Sequence, residues 1–278
     1  MSDARSEKQV DEARAADLRV DVPHTARIYD YLLGGKDNFP ADREAAERTL
    51  AVSPLTRPSA LANRAFLHRA TRFLAVEAGI RQFLDIGTGI PTSPNLHEVA
   101  QGVAPDARVV YVDNDPIVLV HARALLTSSP EGRTGYIDAD LRDPAKVLGS
   151  IDFRATIDLS QPVALTIFGV LHFIADTSDP HGLVRRYLDA LPSGSFLALT
   201  HGSLDFDPES VQRGADVYEK RGISSWPRPR AEIERFFDGL ELVEPGLVPM
   251  HLWRPDGTDS RDPAPAGVVG YGGVARKP

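Results

Sequence analysis

The spacing of apolar residues changes twice along this chain, and each change marks a different kind of element. Between residues 59 and 78, Leu61, Ala65, Phe66, Leu67, Ala70, Phe73 and Leu74 recur near a period of 3.6 and predict an amphipathic helix. From residue 81 the apolar residues gather into short runs, which predict strands at 81–86, 108–113, 133–138, 163–168 and 195–200. Helix-length segments at about 95–103, 116–127 and 180–190 separate several of these runs. Strands alternating with helices imply a parallel sheet covered on both faces, so the expected fold is α/β and doubly wound.

The two ends of the chain read differently. Residues 1–20 are charged and alanine-rich with few large apolar side chains, and are expected to be frayed. Thr25 is placed to cap a short helix through Leu33 that Gly34-Gly35 stops; Pro40 opens another, with Asp42 and Glu44 in its first turn. Residues 21–79 are therefore expected to form a helical cap or lid, and 80–278 the main domain. In the last third, helices at about 208–221 and 229–237 precede apolar runs at 240–254 and 267–275. The glycine-rich final run can pair antiparallel with the one before it, and the proline-rich tract 255–266 reads as a connection.

Composition narrows the picture by exclusion. The 278 residues allow one large α/β domain with a small appended element. A net charge of −8 argues against a nucleic-acid surface, which needs clustered Lys and Arg. The absence of cysteine excludes disulfides, thiolate zinc sites and cysteine nucleophiles. No apolar stretch approaches ~18 residues and the N-terminus is polar, so neither a membrane span nor a signal segment is expected. A cytoplasmic protein is the expectation.

Residues 81–117, RQFLDIGTGIPTSPNLHEVAQGVAPDARVVYVDNDPI, carry the chemistry. Strand, glycine turn, helix, strand and acid follow in the order of a nucleotide-binding βαβ unit. A dinucleotide fingerprint would place its third glycine at Thr92, where this chain has Pro91-Thr92-Ser93-Pro94. The set Asp85, Gly87, Gly89 and Asp113 instead fits a ribose-bearing ligand without a pyrophosphate, with Asp113 accepting the ribose hydroxyls. Asp140, after the third strand, is placed to accept from an adenine amino group while Leu141 packs on the ring. Phe168-Gly169-Val170 reaches the same sheet edge from the fourth strand.

The order DIGTG, VDND, DADLRD, FGVLHF and LPSGSFLAL resembles the Rossmann-fold S-adenosylmethionine-dependent methyltransferases with a seven-stranded sheet, over residues 80–275. With ARIYDYLLGGKDNFPADREAAER and NRAFLHRATRFLA, the chain is similar to an actinobacterial family of such enzymes long catalogued as a domain of unknown function. The resemblance implies a mostly parallel seven-stranded sheet whose last strand is antiparallel, and S-adenosylmethionine as cofactor. It assigns Asp85, Gly87, Thr88 and Gly89 to the methionine-side loop, Asp113 to ribose, Asp140 and Leu141 to adenine, and Phe168, Gly169 and Val170 to the floor beside the methionine. Pro91 departs from the usual pattern, in which a third glycine stands there.

Other assignments rest on position. Asn114 stands beside the ribose acid and within reach of adenine, while Asp115 reads as the cap of the helix opened by Pro116. Asp138 and Asp143 read as solvated or capping residues. The loop after Tyr29 and Tyr31 concentrates polar groups, and Tyr29, Tyr31, Lys36 and Asn38 are expected to line the cofactor or substrate cavity. His172 and His201 are the candidates for chemistry, each a possible base toward a hydroxyl or amine and each equally readable as a satisfied strand-end histidine. Trp226, Trp253, Phe206 and Tyr218 are either cavity wall or core. No metal-ligand spacing is present. The expected activity is methyl transfer to oxygen or nitrogen of a small molecule, with no nucleic-acid or membrane partner and an open oligomeric state. The alternatives are an NAD-dependent oxidoreductase on the same fold class and a cofactor-binding protein without catalysis.

Overall fold

The computed structural model describes residues 19–125, 127–257 and 267–278. Nearly all of the expected frayed segment, and residues 258–266 of the proline-rich tract, lie outside the described residues. Five parallel strands form the centre of the sheet: β1 Gln82–Ile86, β2 Arg108–Asp113, β3 Arg133–Asp138, β4 Ala164–Phe168 and β5 Phe196–Gly202. Two two-residue strands follow, β6 Glu241–Leu242 and β7 Val248–Pro249, and then β8 Gly270–Arg276. The order is β3-β2-β1-β4-β5-β8-β6, and β7 also pairs with β8. β8 runs antiparallel to β5, and β6 and β7 are two pieces of one edge broken by Glu244-Pro245-Gly246. The seven-stranded path with its antiparallel last strand follows the expected topology.

The alternation of side chains along buried strands explains why both faces are covered. Leu84, Ile86, Val110, Val112, Leu165 and Ile167 pack on one face. Against them lie α6 Pro144–Gly149, α7 Ile151–Thr156 and α8 Pro180–Asp189. Phe83, Val109, Tyr111, Ala164 and Phe168 point to the other face. There they meet α3 Thr56–Val76 and α4 Leu96–Val103. Each large side chain removed from water here contributes roughly 1.5–3 kcal/mol. α6 and α7 were not anticipated: each spans six residues, too short to establish a helical period.

Two further helices precede α3: α1 Thr25–Leu32 and α2 Pro40–Val52. His24, not Thr25, is the N-cap of α1; its ring Nδ1 lies 3.3 Å from Ala26 N. Asp42 ties both helix starts together by accepting from His24 N at 2.9 Å and Phe39 N at 2.8 Å. α1 and α2 share a small core in which Ile28, Leu32, Ala45 and Ala46 meet Ala60 of α3 and Tyr218. Tyr218 belongs to α9 Pro208–Glu219, which packs on α2. Helices from both ends of the chain thus meet above the carboxyl ends of β1, β2, β4 and β5. α5 Pro116–Leu125 follows β2, and α10 Arg230–Glu234 leads to β6.

Candidate active site

Parallel strands deliver their C-terminal residues to one sheet edge, and a cavity of about 540 Å³ opens there. Its wall includes Asp85, Gly87, Thr88 and Gly89, Asp113 and Asn114, Asp140 and Leu141, and Phe168, Gly169 and Val170. The sheet register explains the gathering: Asp85 pairs with Thr166 and Tyr111, and Asp113 pairs with Asp138.

Gly87 and Gly89 both have positive φ, +73° and +69°, in the region where a side chain is strained. A Cβ on Gly87 would stand 2.4 Å from Val170 Cγ2, whereas a Cβ on Gly89 would meet nothing within 4 Å. The first glycine lets the post-β4 segment pack against the loop; the second leaves backbone bordering open space. The Asp85 carboxylate accepts from Thr88 Oγ1 and Thr166 Oγ1, both at 2.6 Å, and burial raises its pKa. Asp85 therefore fixes the loop from below as well as bordering the cavity.

Asp113 holds one backbone N–H on each carboxylate oxygen: Gly89 N on Oδ2 at 2.8 Å and Asp115 N on Oδ1 at 2.9 Å. Each oxygen retains acceptor capacity for a vicinal diol. Burial raises its pKa too. Asp140 is in a different state. Arg142 donates to it from Nε, NH2 and the backbone N, and Asn114 Nδ2 approaches at 3.4 Å. The Arg142 contact holds the Asp140 carboxyl below its usual range. An adenine amino group would have to share or displace one of these donors.

The loop after Gly89 explains the missing third glycine. Arg64 of α3 donates to the carbonyls of Thr92 and Pro94, the latter at 2.6 Å, and His68 Nε2 contacts Pro94 O at 3.0 Å. Thr92 N donates to Asn95 Oδ1 at 2.9 Å. The proline segment is thus held from α3. The sequence reading missed Arg64 and its neighbour Asn63, although a polar pair within the apolar stripe of 59–78 was a usable signal.

Asn63 belongs to a chain of hydrogen bonds across the cavity wall. Gly169 N donates to Thr200 Oγ1 at 2.8 Å, and Thr200 Oγ1 donates to Asn63 Oδ1 at 2.5 Å. Asn63 Nδ2 then donates to Tyr29 Oη at 2.8 Å, which donates to Ala60 O at 3.1 Å. Tyr29 lines the cavity, but Tyr31, Lys36 and Asn38 do not. Lys36 is exposed and outside the wall. Asn38 Nδ2 donates to Asp30 Oδ2 at 2.8 Å and to Gly35 O at 3.1 Å, and its Oδ1 accepts from Arg43. Tyr31 turns away to Glu47, with Arg57 over its ring. The correction has a local cause: the glycine turn folds back onto Asp30, which also accepts from Asp37 N at 2.9 Å.

The two histidines separate clearly. His201 is buried, donates from Nδ1 to Gly202 O at 2.7 Å, and accepts at Nε2 from Arg228 at 3.0 Å. Burial first, and then His172 and Arg228, lower its pKa far below the ordinary value. With both nitrogens engaged and no tendency to protonate, His201 is a structural residue rather than a base. His172 also borders the cavity, and among the described residues its ring has one long contact, from Gly202 N to Nδ1 at 3.5 Å. Burial and the nearby Arg228 push it down to about 4. It is neutral at pH 7 and a weak base.

Arg228 was not anticipated. Buried itself, it donates to Leu171 O, Ile174 O and Asp176, so it holds the segment that presents His172. Arg27 plays the equivalent part for the cap, bonding Asp115 at 3.1 Å while Asp115 Oδ1 accepts from Ile117 N and so caps α5. Burial alone would raise Asp115, but His24 and Arg27 bring it below its usual range. Asp143 caps α6 through Lys146 N. Of the aromatic candidates, Tyr218 borders the cavity; Trp253 is core, against Phe66 and Phe73, and Phe206 packs on Tyr271. Trp226 is partly exposed, and its backbone N donates to His172 O.

Among the described residues no cluster of ligating side chains could hold a metal ion, and no helix is long and apolar enough to cross a membrane. A family model described as S-adenosyl methyltransferase matches residues 11–278. Among solved structures, the chain is similar to a DUF574 family protein from Streptomyces avermitilis. The two are 52% identical over 94% of this chain and 100% of that one, with a TM-score of 0.88. It is also similar to a candidate methyltransferase from Thermobifida fusca, 46% identical over 94% of this chain and 97% of that one, with a TM-score of 0.85. A plantazolicin methyltransferase solved with S-adenosylhomocysteine shares the fold at 11% identity, covering 91% of this chain and 96% of that one, TM-score 0.50. No curated protein matches.

Proposed function

The chain belongs to the S-adenosyl methyltransferase family, and from that premise we propose that its cavity methylates an oxygen or nitrogen of a small molecule. The family makes it an S-adenosylmethionine-dependent enzyme, which sets aside the oxidoreductase and the non-catalytic binder. The observation that carries the finer reading is the helical wall: α1, α3 and α9 border the same cavity as the strand tips, so the acceptor would sit in a cleft between the helices and the sheet edge, of a size that suits a small molecule.

The wall suits the cofactor. Asp113 offers two carboxylate oxygens to the ribose hydroxyls, and the open side of Gly89 leaves room for them. Asn114, Asp140 and Leu141 border the adenine end, and Phe168, Gly169 and Val170 the methionine floor. Arg64 is the cation on the methionine side of the wall and would receive the carboxylate. Bound there, S-adenosylmethionine supplies a methyl group already activated by its sulfonium. The protein's remaining task is to orient the acceptor atom in line and exclude water. Neutral His172 orients the acceptor and is at most a weak base; its displacement from the ordinary histidine range fits catalysis by positioning.

The test is incubation with methyl-labelled cofactor and separated cell fractions. Label entering a small-metabolite fraction, and lost in the Asp113→Ala variant, is expected. Label entering only protein or nucleic acid would overturn the small-molecule assignment.

A further inference from the structure

Charge is unevenly distributed around the cavity. Of the described side chains that border it, the carboxylates and guanidiniums are Asp85, Asp113, Asp140 and Arg142, at the strand tips or the loops that follow them, and Arg64, one turn beyond Ala60 on α3 and already bonded to the carbonyls of Thr92 and Pro94. The opposite wall comes from α1, the end of α2, the start of α3, α9 and residues 222–227, with Met250 and Val269. Its described residues include no Asp, Glu, Lys or Arg; His24, at the start of α1, is turned to Asp115 at 3.0 Å.

Three of its polar side chains are already engaged within the protein. Thr49 Oγ1 donates to Ala45 O at 3.0 Å, and Ser59 Oγ donates to Leu55 O at 2.7 Å while accepting from Val269 N at 2.9 Å. Tyr29 Oη is held between Asn63 and Ala60 O. Burial pushes the Tyr218 hydroxyl up to about 12 and raises Tyr29, so both phenols stay neutral. The apolar part is continuous: Phe173 meets Tyr218 edge to face with ring centroids 5.8 Å apart, and Ile223, Met250 and Val269 extend the surface, with the neutral hydroxyl residues Ser53, Thr56, Ser224 and Ser225 beside it. Aromatic edges and a flexible thioether suit a flat ring. A carboxylate or ammonium brought here would lose its hydration and gain no counter-charge.

We infer that the acceptor is an electrically neutral, ring-bearing and mainly apolar molecule, whose enclosed part carries hydroxyl-type groups and neither carboxylate nor ammonium. This rests on the methyltransferase reading of the same cavity. Calorimetric titration of the full chain saturated with S-adenosylhomocysteine tests it, using 2-naphthol, 2-naphthoate and 2-naphthylmethylammonium as probes of one size. The neutral probe is expected to bind at least about ten-fold more tightly than either ion. An ion binding equally well overturns the inference, and so does failure of 2-naphthol to bind while S-adenosylhomocysteine does. Failure of S-adenosylhomocysteine itself would sink the cofactor reading, and this inference with it.

Thr56→Asp supplies a second arm. The new acid falls in the first turn of α3, where the helix dipole favours it. It is expected to tighten the ammonium probe about ten-fold and to weaken 2-naphthol. An unchanged preference among the three probes would overturn the placement of the acceptor against this wall.

Discussion

At one end of the cavity Asp113 and Gly89 meet through a single hydrogen bond between neighbouring strand tips. At the other, Tyr29, Ser53, Tyr218 and Met250 come from four separate elements. The first end presents backbone and charge: positive-φ glycines and a buried carboxylate with one backbone N–H on each oxygen. The second is a wall without Asp, Glu, Lys or Arg, in which Thr49, Ser59 and Tyr29 are bonded within the protein. A fixed donor needs fixed contacts, so the cofactor end is built from a few adjacent residues. The acceptor wall is assembled from distant ones, where a substitution on any single helix reshapes it.

The largest expected effect tests whether the two ends depend on each other. Arg27 and Asp115 form a buried pair joining α1 to the start of α5, and Arg27→Met leaves Asp115 without that partner. Breaking such a pair by removing one member costs about 3–5 kcal/mol. Chemical denaturation should show it; a loss under about 1 kcal/mol would mean that the cap is held by packing alone.

Next come the residues of the cofactor end. Asp113→Ala should weaken S-adenosylhomocysteine by about 100-fold, the equivalent of two hydrogen bonds to a charged group. Unchanged affinity would remove Asp113 from the ribose site. Gly87→Ala should destabilise by about 3 kcal/mol, from backbone strain together with the Val170 clash. Gly89→Ala, strained but facing open space, should cost about 1–2 kcal/mol in stability and lose more in cofactor affinity. Equal behaviour of the two glycines would break the distinction between a packing glycine and a ligand-facing one.

A smaller effect depends on pH. His172 has a folded pKa of about 4, below the 6.5 of an unperturbed histidine, so the unfolded chain binds the proton more readily. Its contribution is fully present above pH ~6.5 and is lost as pH falls through 4, by about 2 kcal/mol between pH 7 and 5. Burial raises Asp85 and Asp113, which therefore oppose this trend. The measurement is the difference in stability between wild type and His172→Gln at the two pH values. A constant difference would show that His172 is solvated. Smallest of all, Arg142→Ala should change cofactor affinity by less than about three-fold, since it releases Asp140 while removing a partly exposed pair. A large loss would make Arg142 itself a ligand.

How much of this was legible follows from distance along the chain. Asp85, Gly87, Gly89 and Asp113 stand at strand ends within one βαβ unit, and the unit's handedness carries them to one edge. Lys36 and Asn38 misled because a polar loop looks the same whether it faces a ligand or, as here, bonds its own helix through Asp30. His172 and His201 were indistinguishable as letters. Arg228, about thirty residues downstream of His201, decides between them by occupying His201 Nε2. Neither α6 nor α7 spans enough residues to register as a period.

The sequence by itself determined the α/β class, the alternation of strands and helices and the donor, because those depend on local periodicity and on residues at strand tips. Only the tertiary structure decided which histidine is engaged, that Arg64, Asn63 and Thr200 belong to the wall, and that no Asp, Glu, Lys or Arg stands among the described lining residues of α1, α2 and α9. These depend on side chains far apart in sequence meeting in a cavity whose low dielectric turns each missing partner into a constraint.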